Sequence, residues 1–186
     1  ASCDFWSATL RAARRAEFPA CFQMVAAMNP CPCGFLGSAQ RACRCTPDQV
    51  ARYQGKLSGP LLDRIDLHVE VPALPANDLL DAPAGEASAD VRERVARARQ
   101  AAMARQGKSN QALQGQEIDT HTALEPAATQ FLQTAAARLG WSARSTHRTL
   151  KVARTIADLA GATSTQVAHV AEAVQYRRVL RRPGAC

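Results

Sequence analysis

The sequence predicts an α/β fold that is mostly helical, with strand-like segments in the first part of the chain and helices in the second. Two observations support this. Residues 66–71 alternate apolar and polar side chains, a pattern typical of a strand with one buried face. Beyond residue 90, apolar residues recur at helical spacing, and glycines follow the segments. Residues 72–85, rich in Pro, Ala and Asp, mark the boundary between the two parts.

The first part is expected to contain a second strand and an interrupted helix. Residues 23–28 (QMVAAM) form a short apolar run between prolines, which predicts a buried strand. A helix is expected over residues 47–64, with an interruption at Gly59-Pro60. The opening residues show no clear period, and the chain begins with Ala1 rather than Met. We therefore expect a fragment whose true start lies upstream.

The second part is expected to contain four helices. Asp90 is a suitable N-cap, and Pro126 suits the first position of a helix. Thr163 and Gln166 have capping-box spacing before the last apolar run. The expected helices cover residues 91–106, residues 126–139, residues 142–160 and a final segment that begins near Thr163.

Composition limits the classes of function. The chain has 186 residues, 47% of them hydrophobic, enough for one domain or a small core with a helical appendage. The net charge of +7 favours anionic partners such as nucleic acid and nucleotide phosphates, although arginine-rich solvated helix faces would give the same balance. No apolar run is long enough for a membrane span, and no signal peptide is evident, so a cytoplasmic protein is expected.

Four of the seven cysteines lie in one window of fifteen residues. They form two short hooks, Cys31-Pro-Cys33 and Cys43-Arg-Cys45. Four thiolates from two hooks can enclose a tetrahedral ion, and an all-sulfur closed site suits structural zinc. The alternative is a cluster of free thiols on a loop. The other three cysteines are assigned no role.

Two polar residues in the first part are candidates for phosphate chemistry. Asn29 follows the expected strand at residues 23–28, where it could orient a water molecule or contact a phosphate. The alternative is a turn residue before proline. Arg64, in LLDRID, could reach a neighbouring molecule's phosphate. The alternative for Arg64 is a surface ion pair with Asp63 or Asp66.

Three long segments together resemble the magnesium-chelatase-like AAA+ ATPases of the YifB/ComM family. They are FPACFQMVAAMNPCPCGFLG, RACRCTPDQVARYQGKLSGPLLDRIDLHVEVP and WSARSTHRTLKVARTIADLAG, in the family's order and at similar separations. The resemblance implies the C-terminal part of an AAA+ α/β core over residues 1–72, with the cysteine insert at residues 31–45. Residues 73–89 would be a linker, and residues 90–182 a helical lid.

The resemblance also implies roles for single residues. Asn29 would be the sensor-1 residue that helps to place the attacking water near the γ-phosphate. Arg64 would be the arginine finger, reaching the ATP site of the adjacent subunit. Arg144, in WSAR, would be the sensor-2 arginine of the lid. Arg148, one turn further along the same basic face, is a near competitor for that role. The alternative for Arg144 is an exposed residue at a helix N-terminus.

Function follows from the same resemblance. It implies ATP and Mg²⁺ as cofactors of the whole protein, a zinc ion in the cysteine insert, self-association into a ring, expected to be a hexamer, and action on DNA. ComM-type members promote branch migration during natural transformation. The alternatives are a zinc-stabilised module that binds nucleic acid or protein without hydrolysis, and a metal-chelatase motor subunit.

One departure from the family pattern limits what this chain can do alone. The sequence contains no G-x-x-x-x-G-K-[ST] phosphate loop (Walker A), and no apolar strand that ends in paired acidic residues (Walker B) precedes Phe18. Without the loop there is no cradle for the β- and γ-phosphates, and without the acidic pair there is no good magnesium site. ATP hydrolysis by the isolated chain is therefore not expected.

Overall fold

An antiparallel pair of strands opens the part of the chain that the structure describes. The structure is a computed structural model, and it describes residues 6–11, 14–19, 23–38, 40–72 and 84–177. Strand β1 (Trp6–Arg11) pairs with β2 (Arg14–Pro19), with Trp6 opposite Pro19. The sequence showed no clear period at the start of the chain, so this pairing was not predicted.

The two segments that were predicted to be strands form no strand. Residues 23–28 are exposed throughout, and Val25 keeps 87% of its surface accessible. Residues 66–71 also lack strand pairing, and Val71 is 85% exposed. Both predictions were wrong for this structure, because no other segment among the described residues supplies the backbone groups that a sheet requires.

Two short helices follow the cysteine loop, where one interrupted helix was predicted. They are α1 (Pro47–Gln54) and α2 (Gly59–Arg64). Thr46 caps α1 in a capping box, since its hydroxyl accepts the N–H of Gln49 at 3.3 Å and the Gln49 side chain accepts the N–H of Thr46 at 3.0 Å. Ser58 caps α2. Gly59-Pro60 therefore begins the second helix, and the break covers residues 55–58.

The remaining described residues form a helical unit, within which most predicted helices are present. The helix Pro126–Leu139 has the predicted bounds, and the helix Ala143–Leu159 is shorter than predicted by one residue at each end because Ser142 and Ala160 are its caps. Two short helices were not predicted. The elements are α3 (Ser88–Gln106), a 3₁₀ turn (Asn110–Ala112), α4 (Gln116–Thr122), α5 (Pro126–Leu139), α6 (Ala143–Leu159) and α7 (Val167–Gln175).

Two predicted caps were wrong. Helix α3 begins at Ser88, so Asp90 lies in its first turn instead of capping it. Helix α7 has Gln166 as its N-cap residue, in a reciprocal arrangement with His169, whereas Thr163 lies in the preceding loop. In the second case the true box uses Gln and His, which the S/T-x-x-E/Q pattern does not include.

The core of the helical unit combines an apolar cluster with a buried ion pair. Arg154 and Asp158 lie on the buried side of α6, and Arg105 of α3 donates to the same carboxylate at 2.7 and 2.9 Å. Arg154 also donates to the carbonyls of Ala162 and Thr163, which fixes the loop between α6 and α7. The apolar cluster comprises Leu113, Ile118, Ala128, Leu132, Leu150, Ala153, Val170 and Ala173.

Residues 73–83, most of the predicted linker, lie outside the described residues, so the division into 1–72, 73–89 and 90–182 stays a prediction.

Among the helices that the structure describes, none combines the length and apolar character that a bilayer crossing requires.

Candidate functional site

The four clustered cysteines converge in the structure. Cys31 and Cys33 have sulfurs 3.4 Å apart, and Cys43 lies 3.7 and 3.6 Å from them. With Cys45 included, the four sulfurs all lie within 4.8 Å of one another. Four sulfurs bound to one tetrahedral zinc at about 2.3 Å would be separated by about 3.8 Å. The spacing and the donor set therefore fit a closed Cys₄ zinc site.

Local backbone geometry builds this cysteine cluster. Gly34 adopts a φ of 81° and donates its N–H to the carbonyl of Cys31 at 3.0 Å, which turns the chain between the first hook and the rest of the loop. Gln54, the last residue of α1, donates to the carbonyl of Pro30 at 3.0 Å. Both ends of the cysteine loop are thus attached to α1, because Thr46 caps that helix directly after Cys45.

The four thiols are electrostatically unequal. Hydrogen bonds from the backbone N–H groups of Phe35 and Arg44 lower the pKa of Cys33 to about 6, so its thiolate forms readily. Partial burial raises the pKa of Cys45 to about 12. A cation in the centre would favour the thiolate at every position, since zinc binds the deprotonated form.

Asn29 lies at the edge of this loop. Its side chain is exposed, and its amide group lies 3.8 Å from the position that a Cβ on Gly34 would occupy. Within the described residues, no hydrogen bond joins Asn29 to Arg64 or Arg144. The structure therefore places Asn29 beside the cysteine cluster and, within the described ranges, joins it to neither candidate arginine by a hydrogen bond.

Arg64 ends α2 with an exposed side chain. The surface ion pair that the sequence allowed is not formed, because other groups hold both neighbouring carboxylates. Asp63 accepts a hydrogen bond from Ser145 at 2.6 Å, and Asp66 is paired with Arg148. Among the described residues, Arg64 has no ion-pair partner for its guanidinium.

Arg144 occupies the second position of α6 and is also exposed. Its side chain makes no ion pair within the described ranges, whereas Arg148 donates to the carbonyl of Arg64 at 2.6 Å and to Asp66. The two candidates for the sensor-2 role therefore differ: Arg148 is engaged with the segment after α2, and Arg144 is available to a ligand.

Arg64 and Arg144 share one neighbourhood around Asp63. Each is adjacent in sequence to one partner of the Ser145–Asp63 hydrogen bond. The Ser145 hydroxyl lowers the pKa of Asp63, and the positive charges of Arg177, Arg144 and Arg148 lower it further. Two exposed arginines that lack an ion-pair partner in the described part of the chain, next to a carboxylate already bonded to Ser145 and Arg177, form a surface suited to an anionic ligand.

Sequence reasoning did not identify Ser145 and Arg177 as parts of this site. Arg177 is 5% exposed and donates to Asp63 at 3.1 Å and to the carbonyl of Ile65 at 2.6 Å. The contacts between Arg177 and Asp63 span 114 positions of sequence. A rule based on local residue spacing cannot predict a contact between residues so far apart in the sequence.

Comparison with known proteins identifies the family. Residues 85–177, half of the chain, match the family described as "Magnesium chelatase, subunit ChlI C-terminal". Residues 7–79 match "Magnesium chelatase, subunit ChlI". The chain is 46% identical over 173 residues to "Competence protein ComM" of Haemophilus influenzae, an alignment that covers 92% of this chain and 33% of the relative.

Two further relatives agree. The chain is 42% identical over 172 residues to "Uncharacterized protein YifB" of Salmonella typhimurium, covering 92% of this chain and 34% of the relative. It is 42% identical over 176 residues to "Uncharacterized protein Mb2921c" of Mycobacterium bovis, covering 91% and 34%. The chain thus spans about a third of the length of these curated relatives. With both family descriptions matched in order and these relatives aligned over most of its length, the chain belongs to the magnesium-chelatase-like AAA+ ATPase family that includes ComM and YifB.

Proposed function

We propose that this chain provides the γ-phosphate-contacting residues of a ring-forming ATP-driven motor. In this proposal Arg64 is the arginine finger, Arg144 is the sensor-2 residue and Asn29 is the sensor-1 residue. The observation that carries it is the pair of exposed arginines, Arg64 and Arg144. Each is adjacent in sequence to one partner of the Ser145–Asp63 hydrogen bond, and neither has an ion-pair partner among the described residues. Family membership supplies the reaction class, ATP hydrolysis.

The chemistry of phosphoryl transfer explains why arginines are suited to these positions. Negative charge spreads over the oxygens of the transferring γ-phosphoryl group, and a guanidinium placed beside it stabilises the transition state. Arg64, at the exposed end of α2, would contact the nucleotide of an adjacent subunit. Mg²⁺ and the phosphate cradle would come from other parts of the whole protein, because this sequence contains no phosphate loop.

Action on DNA is the second element of the proposal. The name of the Haemophilus relative, "Competence protein ComM", associates that protein with competence. The net charge of +7 on this chain suits a polyanionic partner. We propose a cytoplasmic hexameric ring that drives branch migration of DNA. A motor that remodels a metal-inserting enzyme would share the ATPase residues but would not respond to DNA.

The cysteine cluster adds a structural zinc ion to the proposal. Cys31, Cys33, Cys43 and Cys45 would hold it with four thiolates and leave no open coordination position, so its chemistry there would be to fix the loop against α1. Such a site stabilises folding and takes no part in hydrolysis.

The decisive experiment is Arg64→Ala in the full-length protein. ATP turnover should fall by about 10³-fold or more, as expected for loss of an arginine finger. Binding of a nonhydrolysable ATP analogue should remain close to that of the unmodified protein, since the residue acts across a subunit boundary. Arg99→Ala, which removes an exposed arginine of α3, is the matched control and should leave turnover unchanged.

The outcomes separate the candidate functions. Retained turnover in Arg64→Ala would refute the finger assignment. A full-length protein that binds DNA but shows no turnover at all would support a zinc-stabilised binding module. Turnover that double-stranded or branched DNA fails to stimulate would favour the chelatase-type motor over a motor on DNA.

A further inference from the structure

The end of α2 and the four residues that follow it are held against the helical unit by polar contacts with three side chains and one backbone carbonyl of that unit. We call residues 63–68 the finger segment. Arg148 of α6 donates from one nitrogen, Nη1, to both the carbonyl of Arg64 at 2.6 Å and the carboxylate of Asp66. Arg177 uses two nitrogens: Nη1 donates to the carbonyl of Ile65 at 2.6 Å, and Nη2 donates to Asp63 at 3.1 Å.

Two further contacts complete this attachment. The hydroxyl of Ser145 donates to Asp63 at 2.6 Å and also accepts a bond from Arg177 at 3.2 Å. The backbone N–H of His68 donates to the carbonyl of Tyr176, at the end of α7, at 2.8 Å. The contacting groups of the helical unit thus belong to α6 and to the residues that follow α7. They bond to the finger segment from its first residue, Asp63, to its last, His68.

The acceptors of these hydrogen bonds show which part of the finger segment is held in place. The carbonyls of Arg64 and Ile65 belong to consecutive residues, so Arg148 and Arg177 together fix the backbone on the C-terminal side of Arg64. Arg177 is almost fully buried, and charge-assisted hydrogen bonds in a desolvated setting hold geometry tightly. The side chain of Arg64 itself stays exposed.

We infer that Arg148 and Arg177 are positioning residues that hold the backbone of Arg64 on the helical unit, so that a movement of α6 and α7 is passed to the Arg64 guanidinium. This inference rests on the proposed role of Arg64 as an arginine finger. It assigns to Arg148 a function different from nucleotide contact. It also makes the reach of Arg64 toward a neighbouring subunit depend on the position of its own helical unit.

The contact geometry predicts an asymmetric response to lysine. A lysine at position 148 has a single nitrogen, which can replace the single Nη1 that makes both contacts, so Arg148→Lys should retain function and Arg148→Met should lose it. A lysine at position 177 cannot reproduce two nitrogens directed at different acceptors, so Arg177→Lys should behave like Arg177→Met.

The test uses the full-length protein and two readouts. The first is steady-state ATP hydrolysis: Arg148→Met should lower kcat by about 10- to 100-fold, the effect of misplacing a catalytic group, while KM for ATP stays unchanged. The second is hydrogen exchange without nucleotide, in which the amide of His68 should exchange faster in Arg148→Met and in Arg177→Met. Lys151→Met, on the same helix but bonded to Gln111, is the control for both.

Each outcome decides the inference. Faster exchange in the finger segment, lower kcat, constant KM and rescue by Arg148→Lys would support it. Faster exchange with unchanged kcat would overturn it and leave the finger assignment intact. A rise in KM without faster exchange would show that Arg148 contacts the nucleotide instead. Unchanged turnover in Arg64→Ala would overturn the proposed function and this inference together. If the Arg177 variants fail to fold, the Arg148 variants still test the inference. The Arg148 side chain is 26% exposed, so its replacement is better tolerated than that of the buried Arg177.

Discussion

Arg154 and Asp158 form an ion pair one turn apart on α6, with 1% and 2% of their side chains exposed. A pair this deeply buried persists because each remaining hydrogen-bonding position is filled. Arg105 and Asn110 donate to the carboxylate, and the loop carbonyls of Ala162 and Thr163 accept from the guanidinium. The network joins α3, α6 and the loop before α7, so it determines how these elements are packed.

The first prediction concerns Asp158→Asn. The substitution leaves the buried guanidinium of Arg154 and the partly buried guanidinium of Arg105 without their carboxylate, and it should lower the free energy of unfolding by about 3 to 5 kcal/mol. Urea denaturation followed by circular dichroism measures this. Glu93→Gln, which breaks an ion pair with 70% and 73% exposed side chains, is the control and should have little effect. Equal stability of both variants would contradict the structural role of the network.

The second prediction concerns pH. Burial alone would raise the pKa of Asp158, but hydrogen bonds from Arg105, Asn110 and Arg154 outweigh it and hold the pKa below its usual value. The folded-state pKa is therefore lower than the unfolded one. The stabilisation is complete above about pH 4 and is lost as the pH falls through the folded pKa. The unfolding midpoint should drop more steeply below pH 4 in the unmodified chain than in Asp158→Asn; parallel curves would refute this.

The third prediction concerns metal content. The purified chain should contain one zinc per molecule by elemental analysis, and replacing Cys31 and Cys43 together with serine should abolish it, because two ligands of the four are lost. Chelation should also lower the temperature at which α1 unfolds, since the loop is attached to both ends of that helix. Cys21→Ser changes a cysteine that belongs to neither hook of the sequence, and it should leave the zinc in place. If the intact purified chain contains no zinc, the prediction is wrong and the four cysteines are free thiols.

The fourth prediction concerns the end of α3. Gly107 adopts a φ of 70° after the last helical residue, a conformation that an L side chain adopts only with strain. Gly107→Ala should therefore destabilise the chain by about 1 kcal/mol. Gly59→Ala adds the same methyl group where φ is not positive and no atom lies within 4 Å, so it should not destabilise. Differential scanning calorimetry distinguishes the two, and an unchanged Tm for Gly107→Ala would contradict the prediction.

The helices were the part of the fold that the sequence predicted best. Pro126 and Gly140 bound α5 as expected, and Ser142 caps α6, because these signals act within a few residues of the backbone they terminate. The cysteine cluster was predictable for the same reason. The strands were not: the apolar runs at residues 23–28 and 66–71 depend on pairing with another segment, which local spacing cannot reveal.

The candidate site was predictable only in part. Arg64 and Arg144 were proposed as site residues through resemblance. Their separation of 80 positions in the sequence gives no sign of the Ser145–Asp63 contact that brings their neighbourhoods together. Tertiary contacts of this kind are absent from any local pattern. The assignment of Asn29, Arg64 and Arg144 to one nucleotide site therefore stays a prediction for the complete assembly.

The attachment of the cysteine loop to α1 has a consequence for protein engineering. Gln54 closes onto Pro30, and Thr46 joins the last hook to the helix, so the chain between residues 30 and 54 returns to its own starting point. A stretch whose two ends lie together can be exchanged between relatives as a cassette, because both of its junctions then fall close to each other on the recipient.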